Sequence, residues 1–183
     1  MKIGSSSWIG FLLLVFLASC GGGGKRRILI APEYQPEYAV VFDDLLAPEL
    51  FGFDPEGRDP AQDPKLRERA LRADLVMLAK VETVSRVGGV ENKGAYELVL
   101  RAAGPAFFGR APEEPLFLNI GPSNPTYPWV DGAGARWVGT RVILFAKRFK
   151  GAKGDVIHYR GEADTPGMRA ALNRHLSLRV LRR

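Results

Sequence analysis

Side chains able to do chemistry are few in this chain and widely spaced. Its 183 residues hold one cysteine, Cys20, and two histidines, His158 and His175. His158 falls in a predicted strand and His175 in the last predicted helix, so the two make no close metal-ligand spacing. No metal and no cofactor is expected. The glycine-rich phosphate loops GxGxxG and GxxxxGK[ST] and the nucleophile elbow GxSxG are absent. Ser123 stands in Gly121-Pro122-Ser123-Asn124-Pro125, where turn geometry accounts for it and no base is spaced to activate it. Two acidic pairs occur, Asp43-Asp44 and Glu113-Glu114. Adjacent residues point in different directions, so neither pair alone presents two carboxylates to one substrate. A hydrolase would have to draw its carboxylates from separate segments. Binding is better served. Phe117, Tyr127, Trp129 and Trp137 surround a long Pro- and Gly-rich loop, Gly121 to Gly134, followed by Arg136 and Arg141. Aromatic faces stack on sugars and arginines pair with anions. Tyr127, Trp129, Arg136, Trp137 and Arg141 are therefore the candidate residues for a glycan or anionic polymer. Trp137, beginning a strand, reads first as a core plug at a barrel end.

Those residues need elements to position them, and hydrophobic period supplies a set. Val40 to Phe53 has a spacing suited to one or two helical turns interrupted at Pro48, and Asp54 to Pro64 reads as a loop. Asp63-Pro64 opens a short helix through Leu71, the aspartate capping the first N–H groups. The period then becomes alternating. Strands are expected over Asp74 to Arg86, Tyr96 to Ala102, Leu116 to Ile120, Gly139 to Phe149 and Val156 to Arg160, the last two joined as a hairpin through Gly151 to Asp155. Asp164-Thr165-Pro166 caps a C-terminal helix with the stripe Met168, Leu172, Leu176, Val180. Lys25-Arg26-Arg27 followed by Ile28-Leu29-Ile30 reads as a basic stem entering a short edge strand.

At the N-terminus Lys2 precedes about 11 mostly apolar residues, Trp8 to Ala18, the dimensions of a signal-peptide h-region. A spanning helix needs roughly 20. The run Leu17-Ala18-Ser19-Cys20 resembles the lipobox of bacterial lipoproteins. That resemblance implies cleavage between Ser19 and Cys20, acylation of Cys20 (palmitate among its chains), and a mature protein held on a membrane of the cell envelope. Gly21 after the cysteine implies the outer membrane. Gly21 to Gly24 then acts as a tether reaching roughly 14 Å at about 3.5 Å per residue. With the lone cysteine committed to lipid, the exported part has no disulfide and no thiol nucleophile. The domain organisation expected is 1–19 signal peptide, 20–24 lipidated cysteine and tether, 25–73 acidic Pro-rich segment with short helices, and 74–183 β-barrel with a C-terminal helix.

Charge is divided along the chain. Glu33 to Pro64 holds nine acids and one base, net −8, while Ala133 to Arg183 holds twelve bases and three acids, net +9. The two stretches are expected to face and partly neutralise each other, with an anionic partner such as lipid headgroups as the sharper alternative. Five strands, uneven loops and a closing helix suggest a small barrel of the oligonucleotide/oligosaccharide-binding (OB) kind. The stretches ADLVMLAKVETV, YELVLRAAGPAFFG and WVGTRVILFAKRF resemble netrin-like OB modules, though no cysteine pair matches their disulfides. The fold class expected is mainly β with flanking helices (α+β), a five-stranded OB-like barrel. The functional expectation is a membrane-anchored envelope lipoprotein, not an enzyme, that binds an envelope protein or glycan. Nucleic acid is not expected as a partner, since an exported protein rarely meets it.

Overall fold

The computed structural model describes residues 31–52, 60–88 and 94–180. Ser19, Cys20, the tether and the stem with its Ile28–Ile30 strand lie outside the described residues. The longest strand has thirteen residues and is covered on both faces over its first part, where Val76, Met77, Leu78 and Ala79 are buried in succession, while its far end is exposed. In chain order the elements are α1 (Pro36–Ala39), β1 (Leu45–Leu46), α2 (Leu66–Arg72), β2 (Leu75–Val87), β3 (Ala95–Ala102), β4 (Leu116–Ile120), α3 (Tyr127–Ala133), β5 (Arg141–Gly151), β6 (Gly154–Ala163) and α4 (Pro166–Val180). Short 3-10 turns sit at Pro48–Phe51, Pro60–Gln62 and Gly134–Trp137.

One six-stranded sheet has the order β1-β6-β5-β2-β3-β4. All its long pairings are antiparallel, and only β1 runs parallel to its neighbour, Leu45 beside Arg160 and Leu46 beside Gly161. Following the reversals from β6 through β5, β2 and β3 leaves β4 and β6 pointing the same way. A bulge between Val81 and Thr83 bends β2 where it pairs with β3.

Two cores lie on the two faces. α2 and α4 cover one, where Leu66, Ala70, Met168 and Leu172 meet Val76, Ile143, Phe145 and Phe149. Tyr127, Val130 and Trp137 fill the other against Met77, Leu98, Leu118, Val142 and Leu144. Thr165 Oγ1 accepts from Met168 N–H at 3.1 Å and caps α4 as expected, whereas α2 starts only at Leu66 without a side-chain cap, Asp63 Oδ1 instead closing the preceding turn by accepting from Lys65 N–H at 2.9 Å.

Three expectations change. The sheet is not a closed five-stranded barrel: it has a sixth, two-residue strand and remains open, with β1 and β4 at its ends. The segment from Val40 is only partly helical: Asp44 turns the chain into β1, and a single 3-10 turn follows at Pro48–Phe51. The Gly121–Gly134 loop contains α3, nucleated by Pro128 in its first turn.

The oppositely charged stretches meet at Asp43, bonded by Arg160, and at Asp44, bonded by His158, while Arg69, from between the two stretches, ties Asp63 to the buried Glu162. Arg69, 1% exposed, bonds Glu162 and Asp63, each at 3.0 Å, and donates from Nε to the carbonyl of Val41 at 3.0 Å. Arg160 reaches Glu162 at 2.8 Å and Asp43 at 2.9 Å.

Candidate functional site

Where the sheet fails to close, a cleft of about 560 Å³ opens between β4 and β6. Its walls are Leu116 to Asn119 on one side and Val156 to Tyr159 on the other, with Leu144 of β5 as floor. The turn Gly121–Pro125 and the pair Asp43-Asp44 close one end. That closure is built from hydrogen bonds. Asn124 Nδ2 donates to the Asp44 carbonyl at 2.9 Å, and the Leu46 N–H donates to Thr126 Oγ1 at 3.0 Å. Asn124 Oδ1 in turn accepts from the Thr126 N–H at 2.8 Å.

Asp44 organises this end. Its backbone is left-handed, φ 56°, the only positive value at a non-glycine residue among those described. This turn lets its N–H donate to the Tyr159 carbonyl at 2.9 Å while its Oδ1 accepts from the Tyr159 N–H at 3.0 Å. Its Oδ2 lies 2.7 Å from Nδ1 of His158. The carboxylate oxygen accepts, so Nδ1 of the imidazole is the donor of this bond. Tyr34 stacks on the ring with centroids 3.7 Å apart and planes 7° apart, and Phe149 meets it edge-on at 5.4 Å. The Tyr34 hydroxyl is fixed by donation to the Phe42 carbonyl at 2.6 Å. His158 Nε2 has no hydrogen-bond partner among the described residues and is not a buried atom. A fixed imidazole thus offers one free nitrogen at the cleft. Next to it, burial followed by the charges of Asp44 and Asp43 holds the Tyr159 phenol well above its ordinary value, so it stays protonated. Its buried hydroxyl has no partner among the described residues.

The candidate residues of the aromatic and arginine segment divide. Trp129, Arg136 and Trp137 come together with Phe51 along a second, shallower groove of about 340 Å³. Phe51 lies 3.8 Å from Trp137 and 6.0 Å from Trp129 between centroids. Trp137 is only 2% exposed and serves the core from the end of a 3-10 turn, not from a strand. Tyr127 is buried beside Tyr96, and Arg141 is turned to Asp164 at 3.2 Å, so neither reaches the groove. Asp43 and Asp44 share the cleft, but Arg160, the Leu45 N–H, the Tyr159 N–H and His158 take their oxygens. Glu113 is exposed and paired with Arg110 at 2.9 Å.

The sequence reading passed over His158 and Asp44 as a pair, since 114 residues separate them. Ser123, read as a turn residue, does sit in a turn, one that lines the cleft. Comparison with protein families, with curated proteins and with solved structures gives no match.

Proposed function

We propose that this protein is a lipoprotein of the bacterial cell envelope, anchored through Cys20, whose folded part binds a partner in the cleft between β4 and β6 without turning it over. The cleft is the observation that carries the binding reading. It is within the usual range of ligand pockets, has an apolar floor, and sets a few fixed polar groups at one end. The strand connectivity supports an OB-like origin: β2, β3, β4, β6 and β5 succeed one another in space as in an OB barrel, opened at the seam between two strands of like direction. The anchor reading is supported by Leu17-Ala18-Ser19-Cys20 after an apolar run.

Two measurements test the two parts separately. Radioactive palmitate should label the protein in bacterial cells and fail to label Cys20→Ala; labelling of neither sinks the anchor. A photo-crosslinking amino acid at Phe117, beside the cleft, should capture an envelope component in those cells. The same group at exposed Val40, away from the cleft, should not. Equal capture at both positions removes the cleft as the site.

A second reading is favoured by the Phe51–Trp129–Trp137 cluster with Arg136 exposed at its edge: a glycan or acidic polysaccharide laid on that groove. It predicts salt-sensitive binding weakened by Trp129→Ala and by Arg136→Ala. Binding indifferent to both changes rejects that groove.

A further inference from the structure

We infer that the occupant of the cleft is an extended peptide of another protein, lying as an added strand between β4 and β6. This rests on the cleft being the ligand site. Both long walls are strand edges. β4 ends the sheet, and β6 is occupied along its outer side at Arg160 and Gly161 by β1 and at Tyr159 by Asp44. Among the described residues no other backbone hydrogen bond reaches the outer edges of Leu116–Ile120 or Gly154–His158. Alternate residues of such edges turn N–H and C=O outward, a template for one more strand. Four residues of β4 and, short of Tyr159, three of β6 line the cleft with unpaired backbone, so an inserted segment of roughly three to four residues, at about 3.3 Å each, matches its length.

The chemistry of the walls describes that segment. Phe117, 63% exposed, and Val156, 44% exposed, line the cleft together with Ile157, 47% exposed, and with Leu118 and Leu144. A strand between them meets apolar side chains of both walls, so its run is apolar, as β2 is over Leu75–Ala79 and β5 over Val142–Ala146. Past the open end, Lys150 near the end of β5 and Lys153 in the hairpin turn are both exposed and without an ion pair among the described residues. Acidic residues where the segment leaves the cleft complement them. The closed end, latched by Asn124 on Asp44, sets the limit of insertion. A second copy of this chain fits poorly, because its edge strands carry their own sheet and cannot enter between two edges of one molecule.

Phage-displayed random peptides panned on the immobilised full-length protein test this. Enriched sequences should hold a short apolar run with Asp or Glu on one side. A synthetic peptide of the best sequence should lose about tenfold or more in affinity on N-methylation of amides within the run, and little at its ends. Phe117→Asp should weaken it similarly, with unchanged thermal unfolding, and Trp129→Ala should not. Failure to enrich such peptides, or indifference to N-methylation or to Phe117→Asp, overturns the inference. A concentration-dependent dimer abolished by Phe117→Asp would assign the seam to a second copy and overturn it. An envelope saccharide whose binding Phe117→Asp abolishes would also overturn it while leaving the cleft as the ligand site. Absence of any capture by the crosslinker at Phe117 would reject both.

Discussion

At Asp44 one residue combines a left-handed backbone with a carboxylate on which both the Tyr159 N–H and His158 depend. The two roles separate by substitution. Asp44→Gly removes the acceptor but adopts the positive φ freely; Asp44→Ala removes it and adds roughly 1 kcal/mol of left-handed strain. Hydrogen bonds to a charged group contribute about 1.5–3 kcal/mol, so both variants should be destabilised by that order, alanine more than glycine. Urea unfolding checks the ranking, and equal midpoints for the two would remove strain from the account. Asp164 offers a pH test. Its hydrogen bond from Arg169 holds its carboxyl below the ordinary aspartate value, aided by the charges of Arg169 and Arg141 against burial. A depressed folded value stabilises above the unfolded value near 3.8 and is lost as pH falls through the lowered one. The stability gap between the protein and Asp164→Asn should therefore be widest near neutrality and close below about pH 3.8. A gap that grows on acidification contradicts that sign.

Elements differ in how plainly their residues announce them. β2, β3 and β5 were legible because apolar alternation or a doubly covered apolar run persists over many residues. β4 was legible through Leu116, Leu118 and Ile120, which point one way into the core. β1 was not, since two residues carry no period, and its existence depends on Asp44 and on β6 supplying an edge. α3 was hidden by Pro128, Gly132 and Gly134, which read as loop chemistry although proline suits a first helical turn. The cleft was illegible for a related reason: its dyad joins a residue before β1 to one in β6. The contact between those two strands gives an element-scale prediction. At Gly161 an added Cβ would stand 3.0 Å from Val142 Cγ1 and closer still to Leu46 Cδ2. Gly161→Ala should destabilise by about 1–3 kcal/mol through overpacking and displace β1. Adding Leu46→Ala should recover part of that loss, as a double-mutant cycle would show. Strict additivity of the two changes would place the strain elsewhere.

At the scale of the molecule, the stretch before β2 completes the core, although its composition sets it apart as an acidic, Pro-rich segment. Val41, Phe42, Leu66 and Ala70 are buried against Val76, Phe145 and Phe149 on one face, and Leu46 joins the core on the other. Each large apolar side chain buried is worth about 1.5–3 kcal/mol. Phe42, Leu46 and Leu66 together then contribute several kcal/mol, before the smaller Val41 and Ala70 are counted. Removing this stretch would also take away Arg69 and leave Glu162 buried with Arg160 as its remaining partner. Breaking one arm of a buried ionic network costs about 3–5 kcal/mol. The loss is comparable to a typical net stability of about 5–15 kcal/mol and leaves a chain beginning at Asp74 with little or none. Such a polypeptide should therefore show no cooperative thermal transition by circular dichroism, whereas the chain from Ala31 should show one. A cooperative transition in the shorter chain would mean that β2 to α4 fold without their N-terminal cover. The closed end of the cleft would then lie outside the folded unit, since Asp43 and Asp44 belong to the part removed.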